Sequence, residues 1–285
     1  MLLLYARVLI SSLAVALFSS GTPSVPKWQT MPAEQPLPRL ARQGFVEHDQ
    51  ARIWFGTVGK GAPVILLHGG LASSRTWGNQ IPALVNSHHE VILIDSRGHG
   101  RSTLGPYPLS YERMQTDVVA VMDNLHIKRA ALVGWSDGAI VSIIMAMKCP
   151  SRVTRIYAFG ANMNTDGLRK NTFVSPLLSL LARRMKEDYI QLSSTPQAFN
   201  VLHVAVETMQ MSQPRYTEQD LSHIVGPKIA IADGDHEEFI TRDHTEYLAR
   251  TIPGAKLVML PNVSHFAAWQ DPSTFNASML EFLGD

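Results

Sequence analysis

The pentapeptide Gly134-Trp135-Ser136-Asp137-Gly138 has the pattern G-x-S-x-G and stands between two apolar runs of the sequence. The run before it has the length of a buried strand, and the longer run after it has the length of a helix. A serine on such a sharp turn exposes its Oγ, and the next backbone amide opens the helix. The glycines remove side chains that would crowd the turn. The pattern therefore predicts a nucleophile at Ser136.

Two further motifs precede this pentapeptide in the chain. Val64 to Leu67 is followed by His68-Gly69-Gly70, and Val91 to Ile94 is followed by a D-x-R-G-x-G-x-S sequence over residues 95–102. With the three motifs in this order and at this spacing, the chain resembles the α/β-hydrolase superfamily from about Val46 to the C-terminus. The resemblance implies an α/β-hydrolase fold with a small helical cap inserted late in the sheet, and serine hydrolase chemistry of the esterase type.

Composition favours a large folded core and excludes several classes of partner. The chain has 285 residues, of which 45% are hydrophobic, and a formal net charge of +1. The sequence has no basic stripe interleaved with aromatic residues, so nucleic acid is not an expected partner. Cys149 is the single cysteine, which excludes an intramolecular disulfide and a cysteine-based zinc site. We expect Cys149 to be a small buried apolar residue at the end of the helix that follows Ser136.

The N-terminus differs in kind from the rest of the chain. Residues 1–18 are mostly apolar with one charge, Arg7, and small residues follow at 19–21. We therefore predict that residues 1–21 form a signal peptide or an N-terminal anchor, so that the protein is exported to the periplasm or the medium. A misassigned start and a cytoplasmic protein are the alternatives. Membrane contact is expected only through such an anchor. The proline-rich residues 22–44 predict a linker.

Alternating strand and helix patterns predict a doubly wound, mostly parallel α/β sheet. We assign residues 45–162 to the first part of the hydrolase core and residues 227–285 to its second part. The sixty or so residues between Asn162 and Pro227 carry helical patterns without a strand. We therefore predict a helical cap over residues 163–226, with either a pocket roof or its own packing core formed by Phe173, Leu177, Phe199, Leu202, Val206, Met209 and Met211.

Several elements are predicted with explicit bounds. The strands are a hairpin from Phe45 to Gly59, Val64 to Leu67, Val91 to Ile94, Arg155 to Ala161, Lys228 to Ala232 and Lys256 to Leu260. The helices are one capped by Ser73-Ser74 that carries Trp77, Ile81, Leu84 and Val85, then Tyr111 to Leu125, Pro176 to Arg184, Glu187 to Leu192, Ala198 to Met211, Arg242 to Ile252 and Pro272 to Leu283.

A serine nucleophile needs a base and an acid that orients the base, and in this fold they follow in the order nucleophile, acid, histidine. His265 comes just after the last predicted strand, where the resemblance implies the general base. Relatives commonly show G-x-x-D after an earlier strand, and the place of that aspartate falls on Glu237. Asp235 is the substitute acid, and Glu238 is a third candidate. A glutamate here departs from the usual aspartate of the family.

The acidic cluster around His236 can also be read as a metal site. Ligands packed this closely along one loop rarely close a coordination shell, and no matching set of ligands occurs elsewhere in the sequence. We therefore expect no metal and no cofactor.

The oxyanion hole is expected to use two backbone amides, those of Gly70 and Asp137. The Asp137 side chain can bind a cationic group of a substrate or interact with the dipole of the helix that follows Ser136, and we favour the helix. Trp135 is expected to pack beneath the sharp turn that carries Ser136.

This set of residues favours hydrolysis of a small to medium, largely apolar carboxylic ester through an acyl-enzyme. Haloalkane dehalogenases and epoxide hydrolases of this fold use an aspartate in place of Ser136, which argues against both. Haloperoxidase or perhydrolase chemistry stays open, and so does carbon–carbon bond hydrolysis, although the glycine-proline oxyanion loop of those enzymes is missing. A non-catalytic small-molecule binding or receptor protein is the alternative from another class. The oligomeric state is not predicted.

Overall fold

A computed structural model of the protein describes residues 25–170 and 176–284. The predicted signal peptide or anchor therefore lies outside the described residues. Within the described part of the chain, no helix combines the length and the apolar character that crossing a membrane requires.

Within the described residues, eight strands form a single sheet. They are Arg42–His48 (β1), Ala51–Gly59 (β2), Ala62–Leu67 (β3), His89–Ile94 (β4), Ala130–Trp135 (β5), Val153–Phe159 (β6), Lys228–Gly234 (β7) and Lys256–Leu260 (β8). Their order across the sheet is β1-β2-β4-β3-β5-β6-β7-β8. The pairs β1–β2 and β2–β4 are antiparallel, and every other neighbouring pair is parallel. This arrangement confirms the predicted α/β-hydrolase fold.

Helices cover both faces of the sheet, which explains why its central strands are apolar throughout. They are Ile81–Asn86 (α1), Tyr111–Asn124 (α2), Asp137–Lys148 (α3), Pro176–Leu192 (α4), Phe199–Ser212 (α5), Glu218–Ser222 (α6), Arg242–Thr251 (α7), Ala267–Gln270 (α8) and Pro272–Leu283 (α9). All six residues of β5 are buried, and two apolar clusters lie on the two sides of the sheet.

The first predicted helix is interrupted in the structure. Ser73 caps a short 3-10 helix, Ser74–Trp77, by accepting a hydrogen bond from the Arg75 amide. A separate helix, α1, then starts with Pro82 in its first turn, a position that proline favours because its missing amide hydrogen has no role there. The expectation of one continuous helix was therefore wrong.

The segment between β6 and β7 holds α4, α5 and α6. The two helices predicted over Pro176 to Arg184 and Glu187 to Leu192 are one continuous helix, α4. The inner face of α5 joins the core through Leu202, Val206 and Met209, whereas Met211 is 73% exposed and does not line a pocket roof. Phe173 lies outside the described residues.

The described part of the proline-rich stretch packs against the domain, in contrast to the expected linker. Gln270 Nε2 donates hydrogen bonds to the carbonyl oxygens of Trp28 and Thr30, and Arg184 donates one to that of Pro32. The Trp28 ring stacks on His236 with the ring centroids 4.4 Å apart. A proline-rich backbone has few donors but keeps all its carbonyl acceptors, and these contacts use the acceptors.

A buried ion pair joins the loop after β4 to α2. Arg97 Nε and Nη2 donate to the two carboxylate oxygens of Asp117 at 2.9 and 2.5 Å, and the Arg97 side chain is fully buried. Arg97 also donates to the carbonyl oxygens of His48 and Asp49 in the β1–β2 turn. This single guanidinium therefore holds three separate parts of the chain together.

Removing one partner of this pair is expected to destabilise the fold strongly. Asp117→Ala leaves Arg97 charged and buried, and we expect a loss of about 3–5 kcal/mol in the free energy of unfolding. The matched control is Asp123→Ala on the same helix, because Asp123 pairs with Arg152 but is 62% exposed. The control should lose less than about 1 kcal/mol. Urea unfolding of both variants measures the difference, and equal losses would contradict the prediction.

Candidate active site

Ser136 stands in a strained turn between β5 and α3. Its backbone angles are φ 55° and ψ −121°, and its amide donates to the Phe159 carbonyl oxygen at 2.8 Å. A Cβ at position 134 would collide with the carbonyl oxygen of Gly138, and one at position 138 would collide with that of Leu67. The two glycines of the pentapeptide are thus required by the close approach of three backbone segments, as the sequence predicted.

The side chains of His265 and Glu237 meet in the loops after β8 and β7. His265 Nδ1 donates to Glu237 Oε2 at 2.8 Å, and both side chains are nearly fully buried. The other carboxylate oxygen of Glu237 accepts the amide hydrogens of Phe239 at 2.7 Å and Ile240 at 3.1 Å. The carboxylate is therefore fixed from both sides, and the His265 proton is held on Nδ1, which leaves Nε2 as the acceptor.

Glu238, the third candidate for the acid, has a different contact. Its Oε2 accepts the backbone amide of His265 at 2.9 Å. Asp235, the substitute candidate, is 36% exposed and lies 3.8 Å from the ring of its neighbour His236. Of the three candidates, the structure brings only Glu237 to the imidazole ring.

The loop that carries His265 lies directly beside the turn that carries Ser136. Trp135 Nε1 donates to the His265 carbonyl oxygen at 2.8 Å, and the two rings are 5.7 Å apart. A Cβ on Gly160 would come within 2.6 Å of His265 Cε1, which places the ring at the end of β6. Among the described contacts, Ser136 Oγ makes no hydrogen bond to His265, and such bonds often tighten only when substrate is bound.

Two backbone amides are available for an oxyanion. The loop after β3 packs on the serine turn, because a Cβ on Gly69 would lie 3.0 Å from Ser136 Cβ. His68 fixes this loop, with Nε2 accepting from the Ser96 amide and Nδ1 donating to the Gly69 carbonyl oxygen. The amides of Gly70 and Asp137, which the sequence predicts as donors, form no hydrogen bond with another described residue. Both are therefore free to bind a negatively charged oxygen.

Asp137 lies in the first turn of α3, the position in which the sequence predicted an interaction with the helix dipole, but its side chain makes no capping hydrogen bond. Its Oδ1 accepts from the Tyr111 hydroxyl at 2.8 Å, and both its oxygens accept from Gln210 Nε2 at 3.1 and 3.2 Å. The helix itself has no side-chain cap. Burial raises the pKa of Asp137, and the hydrogen bonds from Tyr111 and Gln210 oppose that rise. Asp137 therefore connects α3 to α2 and α5.

Burial also shifts the pKa values of His265 and Glu237. It lowers the pKa of His265 and raises the pKa of Glu237 to about 7. The imidazole is accordingly neutral near neutral pH and can accept a proton. The glutamate is ionised mainly above about pH 7.

No group of three or more histidine, cysteine, aspartate or glutamate side chains within residues 25–170 and 176–284 is arranged to hold a metal ion.

Sequence reasoning gave no role to several polar residues at this site. Asp233 contacts Glu237, Gln210 contacts Asp137 from the cap, and Tyr111 contacts Asp137 from α2. Asp233 had a detectable signal, since it is an acidic residue at the end of an otherwise apolar strand. Gln210 and Tyr111 had none, because their contacts join helices that are distant in sequence.

Comparison with known proteins agrees with the fold. Residues 64–278 match the model of the Alpha/beta hydrolase family. A 2-hydroxy-6-oxononadienedioate/2-hydroxy-6-oxononatrienedioate hydrolase from Burkholderia vietnamiensis is 27% identical over 264 residues, covering 82% of this chain and 91% of the relative. The chain belongs to the alpha/beta hydrolase family, and hydrolase activity follows from that membership.

Solved structures show the same fold. A carboxylesterase from Bacillus subtilis superposes with a TM-score of 0.66 at 21% identity, covering 90% of this chain and 93% of that one. An enol-lactonase from Burkholderia xenovorans LB400 superposes with a TM-score of 0.68 at 19% identity, covering 85% of this chain and all of that one.

Glu237 and Asp235, the first two of the three candidates for the acid, can be separated by the reactivity of Ser136 toward a serine-directed fluorophosphonate. Glu237→Gln should slow the labelling by roughly 10³-fold, because the amide no longer holds the His265 proton on Nδ1. Asp235→Asn is the matched control and should change the rate by less than about twofold, since its side chain faces solvent. Labelling rates followed by intact-protein mass spectrometry measure both effects. A slow Asp235→Asn variant beside a normal Glu237→Gln variant would reverse the assignment.

Proposed function

We propose that the protein is a serine hydrolase that cleaves small to medium, largely apolar carboxylic esters, with Ser136 as nucleophile, His265 as general base and Glu237 as the acid that orients it. The observation that carries this proposal is the 2.8 Å hydrogen bond between His265 and Glu237 beside the strained Ser136 turn. A backbone this strained at a non-glycine residue is typical of a functional position.

The first half of the reaction forms an acyl-enzyme. His265 Nε2 takes the proton of Ser136 while Oγ attacks the ester carbonyl carbon. The carbonyl oxygen becomes an oxyanion that accepts hydrogen bonds from the amides of Gly70 and Asp137, each worth about 2.7–4 kcal/mol of transition-state stabilisation. His265 then gives the proton to the departing alcohol oxygen. Glu237 stabilises the imidazolium that forms between these two steps.

The second half regenerates the serine. Water gives a proton to His265 Nε2 while its oxygen attacks the acyl carbon, and the same two amides stabilise the second oxyanion. The proton returns to Ser136 Oγ when the carboxylic acid leaves.

An apolar substrate suits the groups around these residues. The ring of Phe239 packs edge-on against His265 with the centroids 4.8 Å apart. Val206 from α5 approaches Gly70, since a Cβ there would lie 3.2 Å from Val206 Cγ1. The polar exception is Asp137, whose oxygens are already engaged by Tyr111 and Gln210.

A second candidate is hydrolysis of a carbon–carbon bond, which the sequence left open. It is favoured by the relative from Burkholderia vietnamiensis, which is a 2-hydroxy-6-oxononadienedioate hydrolase. Purified protein offered that diacid separates the two candidates, because loss of the dienedioate absorbance without ester turnover would favour the second.

Ester hydrolysis can be tested with p-nitrophenyl acetate, butyrate and octanoate. We expect turnover by the wild type and a loss of roughly 10³-fold or more in Ser136→Ala, since the remaining rate comes from the oxyanion site alone. The release of p-nitrophenol measures it, and the preferred chain length gives the size of the acyl site. Equal, feeble rates in both proteins would contradict the proposal, and absence of fluorophosphonate labelling on Ser136 would then indicate a non-catalytic binding protein.

The proposal also makes a prediction about pH. Burial raises the pKa of Glu237 to about 7. As the pH falls through that value, Glu237 becomes protonated and can no longer stabilise the His265 imidazolium as an anion. The pKa of His265 is lowered by burial, so its protonation requires a lower pH than that of an exposed histidine. We expect kcat/KM for the ester to fall below about pH 7 and to be constant above it. A profile that stays flat down to about pH 5 would contradict the raised pKa.

A further inference from the structure

A second buried carboxyl group lies behind the acid of the active site. Asp233 is 1% exposed at the end of β7, and the turn that follows folds Glu237 back toward it, with the Glu237 amide donating to the Gly234 carbonyl oxygen at 3.3 Å. The side chains of Asp233 and Glu237 lie within hydrogen-bonding reach of each other. Neither the mechanism proposed above nor the sequence assigns Asp233 a role.

The remaining contacts of both groups are with hydrogen donors. Asp233 accepts from the Gly234 amide at 2.9 Å and from the Thr245 hydroxyl at 2.7 Å. Glu237 accepts from His265 and from the amides of Phe239 and Ile240. Two ionised carboxylates cannot hydrogen-bond to each other, so the contact between them requires one proton.

The position of that proton follows from the number and kind of donors. Glu237 accepts three hydrogen bonds, one of them from the His265 imidazole. Asp233 accepts two, and none of its described hydrogen bonds comes from that ring. Hydrogen bonds to the charged form favour ionisation, so Glu237 is the better anion and Asp233 the better acid. Burial raises the pKa of Asp233 well above its ordinary value, and the nearby Glu237 raises it further.

The other titratable groups around this pair are few. His265 acts on Asp233 and opposes its raised pKa, and Glu238 acts on Glu237 and raises its pKa. Asp137 acts on His265 from the other side. None of these groups forms a hydrogen bond with Asp233 among the described contacts.

We propose that Asp233 is a positioning residue that keeps its proton in the working enzyme and donates a hydrogen bond to the Glu237 carboxylate, which it holds ionised and aligned for His265. The kinetic part of this inference rests on the proposed ester hydrolysis. A neutral carboxylic acid acting as a buried donor is an established device of active sites.

Two variants of Asp233 separate donation from charge and from packing. In Asp233→Asn the amide can donate to Glu237 as the acid does, and Thr245 can turn its hydroxyl toward the Thr241 carbonyl oxygen, now 3.5 Å away. Asp233→Leu has a similar volume but no donor. We expect the acidic limb of the kcat/KM profile to move up by about one pH unit in Asp233→Leu, because the ionised Glu237 loses a hydrogen bond. In Asp233→Asn the limb should stay near its wild-type pH.

Thermal unfolding distinguishes this positioning role of Asp233 from a role in packing alone. Thermal unfolding of both variants reports any loss of packing, which alone would lower the melting temperature without moving the limb. A limb that stays in place in a folded Asp233→Leu protein, or that moves as far in Asp233→Asn as in Asp233→Leu, would overturn the inference.

The protonation of Asp233 can also be measured without a substrate. The result then tests this inference even if the proposed ester hydrolysis is wrong. The infrared difference spectrum of wild type minus Asp233→Asn at about pH 8 should contain the carbonyl stretch of a protonated carboxylic acid. A carboxylate band in its place would show that Asp233 is ionised and would overturn the inference.

Discussion

The N-terminus of α3 approaches the end of β3 so closely that only a hydrogen atom fits at position 138, where a Cβ would collide with the Leu67 carbonyl oxygen. This approach brings the first amide of α3 next to the Gly69-Gly70 loop and forces Ser136 into its unusual backbone conformation. Such a conformation costs on the order of 1–3 kcal/mol. The buried face of α3, with Ile140, Ile143 and Ile144, supplies the packing that offsets this cost.

Backbone contacts place His265 and Glu237 near each other, independently of the hydrogen bond between their side chains. Strands β7 and β8 are parallel neighbours with Gly234 opposite Leu260, so the loops after them leave the same edge of the sheet. Two hydrogen bonds then join these loops, from the Asp235 amide to Leu260 and from the His236 amide to Val263. The turn at 234–237, closed by the hydrogen bond from the Glu237 amide to the Gly234 carbonyl oxygen, then directs the Glu237 side chain to His265.

The sequence predicted best the elements whose ends carry local signals. Strand β8 and helix α9 have the predicted bounds, and α9 begins with Pro272 and ends at Gly284 in the left-handed conformation. Other expectations were wrong: the described part of the predicted linker packs against the domain, and the two helices predicted between Pro176 and Leu192 are the single helix α4. Ser136, His265 and Glu237 could be selected because each follows a strand in the order the fold requires, and their roles stay predictions. The contacts of Tyr111 and Gln210 could not be predicted, because tertiary packing sets their partners.

The carboxyl group of Asp137 poses an electrostatic problem for the proposed reaction, because a negative charge beside the proposed oxyanion site would repel the charge that develops on the substrate. Burial and hydrogen bonding act on this group in opposite directions. Burial favours the neutral form, which carries no repelling charge, whereas the hydrogen bonds from the Tyr111 hydroxyl and the Gln210 amide favour the ionised form and place donor hydrogens against its charge. One of these donors, Gln210, belongs to α5, so a helix between β6 and β7 contributes to the charge balance of the site. A displacement of α5 would withdraw this donor from Asp137 and thereby change the field at the Gly70 and Asp137 amides.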